Sequence, residues 1–349
     1  MERVVGIDVA RGLAVLGMFA AHLGASDEEF WTRTGWLQVA DGRSAATFAL
    51  LAGVSAALLS GGRTPVDGAA LRQARVRIVA RAVALWPLGA LLIALDTPVV
   101  VILPAYAVMF AVTAGLLRLP PRTLLLIAGV VVVVGPPVVR LAQVALGDPR
   151  EAGQHVDVLV GDYYPAAVWI AYLLVGLAVG RTDLRSPEVG RRLAGAGALC
   201  VVLGYGTAAV ARRVLPPGSA ARDLLTSEPH SSTGPEVVGN IGVALLVLAT
   251  CLAVTARAPR LLAPLAATGA LALTAYCSHL VAIAIIGEDA VWDPSNLRLA
   301  TFVLVTLAAA TAWRLTLGRG PLERALHAGS GALAHALVPT EPEPSDARR

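Results

Sequence analysis

The sequence predicts an all-α, polytopic membrane bundle of about ten spans, with both termini in the cytoplasm. Three observations predict it. Hydrophobic residues fill 56% of the 349 positions and charged residues only 15%, with a mean hydropathy of +0.70, which is too little charge for a soluble chain of this length. The apolar residues fall in successive runs, each close to the roughly 20 residues a helix needs to cross hydrocarbon. The arginines collect in alternate connections between those runs.

Taken in order, the spans lie near 4–24, 43–61, 76–96, 98–117, 122–142, 162–180, 193–211, 237–256, 261–286 and 298–317. The first opens early, but Asp8 and Arg11 interrupt it and no A-x-A site follows, so it reads as a retained span, not a cleaved signal. The fourth and fifth contain prolines, which are expected to kink them. The valine run at 130–134 lacks the alternation of a barrel strand and so belongs to a helix. After the last span, "GRGPLERALHAGSGALAHAL" has the pattern of an amphipathic helix on the inner surface. "VPTEPEPSDARR" has the composition of a disordered tail. The expected organisation is therefore one membrane domain over 1–335, including that helix, and a cytoplasmic tail over 336–349.

Orientation follows from the connections. "RTPVDGAALRQARVR", "RLPPR", "RTDLRSPEVGRR" and "RAPR" share one side, while "SDEEF", Asp96, "GDPREAGQHVD" and "GEDAVWD" share the other. The positive-inside rule puts the first set in the cytoplasm of a cell whose inner (plasma) membrane holds the protein. Arg212, Arg213 and Arg222 run against the pattern. The net charge of +4 comes without a single lysine. Because these charges sit between apolar runs, they are topology signals and not a nucleic-acid surface. Cys200, Cys251 and Cys277 all lie inside spans without a C-x-x-C pair, so neither disulfides nor a metal site is expected. No internal repeat is visible, which counts against a duplicated transporter architecture.

The first span, "GIDVARGLAVLGMFAAHLG", carries an acid, a base and an imidazole. Arg11 and His22 are eleven positions apart, which at about 100° per residue nearly eclipses them on one helical face. Asp8, three residues before Arg11, can pair with its guanidinium. A rise of about 1.5 Å per residue places His22 some 16 Å above Arg11. Charged groups within a span are costly and usually face a cavity or path, so this line of residues is a candidate site and not scaffold alone.

"IDVARGLAVLGMFAAH" resembles the first span of the acyltransferase-3 type membrane acyltransferases, with a D-x-x-R-G start and a histidine eleven residues after the arginine. The chain more closely resembles the group called domain of unknown function 418, related to heparan-alpha-glucosaminide N-acetyltransferase. "GRSAATFALLAGVSAALL" and "YYPAAVWIAYLLVGLAVGRTDL" look like its second and sixth spans. "HSSTGPEVVGNIGVALLVLATCL" and "GALALTAYCSHL" look like later ones, and "GRGPLERAL" like its C-terminal signature. This resemblance implies transfer of an acyl group, with acetyl-CoA the leading donor, from cytoplasmic acyl-CoA to an envelope glycan, glycolipid or similar acceptor outside. It carries His22 over as catalytic base, with Arg11 required nearby and Asp8 beside it. One departure stands: the heparan enzyme keeps its catalytic histidine in the first external loop, and "LGASDEEFWTRTGWLQVAD" has none. Either His22 takes the role or this group does different chemistry.

Residue chemistry adds the remaining candidates. An imidazole with an ordinary pKa near 6.5 can take an acceptor's proton as it attacks a thioester. Coenzyme A brings several phosphate charges, and Arg72, Arg75, Arg77 and Arg81 stand at the cytoplasmic start of the third span, although topology alone would also put them there. His279, grouped with Ser278 and Thr274, and His230 point to the outer side and can orient the acceptor or share proton transfer. Arg43 either binds an anionic acceptor or anchors its helix. A transporter using Asp8, Arg11 and His22 as a relay is the alternative class, and a noncatalytic membrane partner a third. The acyl group, the acceptor and the oligomeric state, a homodimer included, stay open at this level.

Overall fold

The computed structural model describes residues 3–339, and among these every regular element is helical. The helices are α1 (Val5–Leu23), α2 (Arg43–Leu59, preceded by a 3₁₀ segment Gly35–Ala40), α3 (Gly68–Ile93), α4 (Leu103–Leu116), α5 (Pro121–Leu146), α6 (Gln154–Val160) and α7 (Ala166–Val179). There follow α8 (Pro187–Val214), α9 (Ala220–Leu224), α10 (Gly234–Thr255), α11 (Ala263–Ala270), α12 (Ala272–Ile286), α13 (Asp289–Trp292), α14 (Asn296–Thr316) and α15 (Pro321–Leu337). The segment 340–349, which holds most of the expected tail, lies outside the described residues, and α15 extends through 336–337.

Seven of these elements are long and apolar enough to cross a membrane, or eight if α11 and α12 count as one bent span. The helices α4 and α7 have 14 residues each. That gives them about 21 Å, against the ~30 Å of a hydrocarbon core. Every residue of α7 except Ala167 is buried, so this short helix is walled off from lipid by its neighbours. In the apolar windows of α1, the 35–59 segment and α10, 56–61% of the residues are buried, against 11–28% for α3, α5, α8 and α14. The former make the inner group with α7; the latter face the acyl chains.

Proline takes two kinds of place in the fourth and fifth runs. Pro104 and Pro121 sit in the first turns of α4 and α5, where a missing N–H costs nothing. Pro136 and Pro137 lie inside α5, which continues through them to Leu146. The sharp break comes instead in the ninth predicted span, where α11 and α12 meet at 80° around Leu271. The cause is contact with α1: a Cβ on Gly269 would sit 1.7 Å from the Asp8 carbonyl oxygen, and one on Gly12 would sit 2.2 Å from that of Leu265. Two small residues let the backbones touch, as at tight membrane crossings. α12 then leaves in a new direction, and Glu323 of α15 holds its start by accepting from the Leu273 and Thr274 amides at 2.8 and 3.0 Å.

Candidate functional site

The long inner helix α1 offers a different environment at each end. At its C-terminal end, His22 Nδ1 lies 2.9 Å from Nε2 of His279, a buried residue of α12. The second nitrogen of His279, Nδ1, lies 3.1 Å from the Tyr276 carbonyl oxygen. A carbonyl can only accept, so Nδ1 of His279 carries the proton and its Nε2 is the lone pair. His22 must then donate through Nδ1, which leaves His22 Nε2 as a free acceptor. The sequence pattern grouped Thr274 with His279, but Thr274 Oγ1 instead donates to Glu323, at 2.6 Å.

His22 opens on a pocket of about 50 Å³ that also has Asp41, Tyr164, His230 and Tyr276 in its wall. His230 belongs to the connection before α10 and holds a left-handed backbone, φ 63°, as does Ser232 at 53°. Such geometry is uncommon off glycine and needs support. Glu236, buried in the first turn of α10, provides it. Its Oε1 accepts from the His230 amide at 2.8 Å, and its Oε2 from the Ser232 amide at 2.6 Å and Ser231 Oγ at 3.1 Å. His230 Nε2 lies 3.8 Å from Asp41 Oδ1, and its Nδ1 is buried without a hydrogen-bond partner. Sequence reasoning missed Glu236. The signal was there in "TGPE", a capping-box pattern in which Thr233 Oγ1 accepts from the Glu236 amide at 3.3 Å.

Beside this pocket, sharing Val100 and Tyr164 with it, lies a cavity of about 530 Å³ whose polar wall includes Asp96, Arg150, Gln154, Asp157 and Tyr163. Burial pushes the Asp157 carboxyl above the usual range, and Arg150 offsets part of that. Its wall draws on the 147–161 connection, where α6 contributes Gln154, Asp157 and Val158.

Arg43 does not reach either space. Its Nε donates to Tyr205 Oη at 3.0 Å, and Nη1 to the Gln38 carbonyl at 3.0 Å. Its Cζ stands 5.1 Å from the Tyr205 ring centroid. The guanidinium is occupied in anchoring α2 to α8, which favours the anchoring reading over acceptor binding.

At the N-terminal end of α1, Asp8 accepts from Arg11 Nη1 at 3.0 Å and also pairs with Arg3. Arg11 Nη2 donates to Ser55 Oγ of α2 at 2.8 Å. This network lines a cavity of about 670 Å³, whose other cationic side chains include Arg63, Arg81 and Arg319, with His327 beside them. The size falls within the roughly 300–1,000 Å³ typical of small-molecule sites. Of the four arginines expected here, Arg81 alone lines it. Arg75 donates to the Ala114 carbonyl at 3.1 Å, Arg77 Nε is buried without a hydrogen-bond partner, and Arg72 is exposed. Helix α3 begins at Gly68, a full two turns before the predicted span, so successive arginines point to different sides of it. The structure recruits Arg3, Arg319 and His327 from the two chain ends, which no local spacing reveals. His327 is pushed below its ordinary value by partial burial and then by Arg319, Arg81 and Arg77.

The two ends share no wall residue, and between them Gly12, Ala14 and Val15 of α1 are buried in packed core. The line of residues read along α1 is therefore divided between two separate spaces, Asp8 and Arg11 in one and His22 in the other. No curated protein matches the chain. The family profile described as heparan-alpha-glucosaminide N-acetyltransferase, catalytic, matches residues 3–206, which takes in α1 to α7, most of α8 and both Arg11 and His22, and stops before His230, His279 and α15. With more than half of its length matched, this all-helical membrane chain belongs to the heparan-alpha-glucosaminide N-acetyltransferase catalytic family, a family of membrane acetyltransferases.

Proposed function

We propose that the protein moves an acetyl group from cytoplasmic acetyl-CoA to a hydroxyl- or amine-bearing envelope acceptor, a glycan or glycolipid, on the other side of the cell's plasma membrane. The observation that carries the reading is the free Nε2 acceptor of His22, fixed in that tautomer by His279 and opening on a pocket at the far end of α1 from an arginine-lined cavity. The acceptor's O–H or N–H loses its proton to Nε2 while its heteroatom attacks the thioester carbonyl. The carbon–sulfur bond breaks, and the coenzyme leaves as a thiol after taking that proton. The phosphates dock among Arg81, Arg319 and Arg3, whose planar guanidinium groups suit phosphate oxygens. The acceptor occupies the cavity walled by Asp157 and Tyr163. A ten-span topology, with both termini cytoplasmic and α4, α7 and the bent pair each counted as crossing, puts the donor on the side where coenzyme A is made.

The test is transfer of labelled acetyl from acetyl-CoA to envelope material by wild type and His22→Ala at matched expression. Loss in the variant supports the reading; wild-type transfer by the variant overturns the assignment of the base. A transporter is the second reading, favoured by two end cavities separated by packed core. Purified protein that releases no coenzyme A from acetyl-CoA under any acceptor supply, yet moves a solute across vesicles, would establish it.

A further inference from the structure

A second built feature lies at the His22 end of the bundle, outside the family-matched acyl-transfer residues. Arg212, in the last turn of α8, and Arg222, in α9, line a common cavity of about 320 Å³ together with Tyr205 and Glu228. Neither guanidinium has a hydrogen-bond or ion-pair partner among the described residues, and Glu228 is the one acid in the wall. Arg212 complements the carbonyl end of α8, as a cation at a helix C-terminus does. That does not account for Arg222, which comes from a different element and reaches the same space. Acidic residues otherwise gather at this end, in the 26–30, 147–157 and 287–293 connections, so the positive-inside rule does not call for these cations.

Beside it, on the same stretch of α8 and sharing Leu225, an apolar groove of about 470 Å³ runs down the lipid-facing side of the helix. Val202, Gly206, Val210 and Val214 repeat at intervals of four along it, and the three valines are 58–69% exposed. From the level of Arg212 inward to Val202 the helix runs about 15 Å, which matches the roughly 15 Å of hydrocarbon in one leaflet. Gly206 has no neighbour within 4 Å of where a Cβ would stand, so the groove is open at its centre.

We propose that this is a binding site for an anionic, phosphate-bearing lipid, its headgroup between Arg212 and Arg222 and one acyl chain along α8. Two unpaired cations beside the outer end of an apolar slot of leaflet depth are complementary to a charged amphiphile, and neither part alone would select one. The site is independent of the acetyl-transfer reading. It does adjoin that machinery, because Tyr205 in its wall donates to Asn240 Oδ1 at 2.7 Å, and Asn240 Nδ2 donates to Glu236 at 3.2 Å, the residue that supports the His230 loop.

The test measures lipid retained by the detergent-purified full chain after equilibration with equimolar phosphatidylglycerol and phosphatidylcholine, counted as adducts by native mass spectrometry, with inorganic phosphate as a separate competitor. Wild type should keep phosphatidylglycerol in preference. The R212A/R222A variant should lose it by about thirtyfold, since each arginine near a lipid headgroup contributes about one kcal/mol. Gly206→Trp, which fills the groove and leaves both arginines, should lose it too, and melting curves of both variants should match wild type. Equal retention of the two lipids, or an unchanged preference in R212A/R222A, overturns the proposal. Retention by Gly206→Trp, or displacement of the lipid by millimolar phosphate, would mean an anion site only and overturns it equally.

Discussion

His22 and His279, separated by 257 positions, meet through a 2.9 Å contact between imidazole nitrogens, and the Tyr276 carbonyl at the far side of His279 fixes which of them donates. The arrangement gives His22 one defined free nitrogen. His279→Ala should therefore impair the reaction through His22, without abolishing binding. A loss of about 10- to 100-fold in kcat is expected for an orienting partner, against about 10² to 10⁴ for His22→Ala. Acetyl transfer at saturating acetyl-CoA measures both, and His279→Gln, whose amide oxygen can accept from His22 Nδ1, should recover part of the rate. A kcat unchanged in His279→Ala would remove the pair from catalysis.

Asp8 is buried between Arg11 and Arg3, with Arg11 also tied to Ser55. Removing Arg11 alone leaves a carboxylate in the bundle with the more exposed Arg3, and should destabilise the protein toward the lower end of the roughly 3–5 kcal/mol typical of a broken buried pair. The double change Asp8→Asn with Arg11→Gln should be milder than Arg11→Ala, because no lone charge remains. Melting temperatures in one detergent compare the three proteins. A double variant less stable than Arg11→Ala would contradict the argument.

Gly269 and Gly12 set the approach of α11 to α1. Gly269→Ala places a methyl against the Asp8 carbonyl, where backbone and not a flexible side chain must yield. The expected cost lies at or above the top of the roughly 1–3 kcal/mol range for overpacking. Gly190→Ala, where a Cβ meets nothing within 4 Å, is the matched control and should melt like wild type.

The cationic cavity should bind coenzyme A with a proton linkage. Free His327 is held below the ordinary imidazole value by partial burial and three arginines, so it is neutral at pH 7.5. Phosphates that neutralise Arg319 and Arg81 raise it, and the complex then holds a proton the free protein lacks. Affinity should increase as pH falls through the range where the bound imidazole is protonated and the free one is not, by at most about tenfold per unit for a single proton. It should be flat above. Calorimetry in buffers of differing ionisation enthalpy reads the proton uptake, and His327→Gln should abolish it. Uptake that persists in His327→Gln would assign it to another group.

Much of the bundle was legible because membrane spans are written in composition. The runs at 4–24, 122–142, 193–211, 237–256 and 298–317 each contain the core of a long helix. The pairing of Asp8 with Arg11 was equally readable, since three residues on one helix fix their own geometry. What local spacing could not reveal depends on tertiary contact. His279 lies on a helix whose direction is set by the Gly269 crossing, and that crossing is invisible from α12 itself. The arginines of 72–81 were read as one patch, but the earlier start of α3 turns Arg75 inward to Ala114 and leaves Arg72 exposed. Arg319 and His327 meet Arg3 only because α15 folds back beneath the bundle.

The broken span bears on both cavities. α12 is a helix of 15 residues, anchored at its first turn by Glu323 from the wall of one cavity and carrying His279 into contact with His22 at the wall of the other. The carboxylate that holds the helix stands in the same space as Arg11, Arg81 and Arg319. Glu323 gives its carboxylate to the start of α12, and so one side chain of the arginine-lined wall sets where the helix bearing His279 begins. The two chambers thus lie at opposite ends of one packed helix, α1, and α12 with its anchor at Glu323 is an element that touches the walls of both.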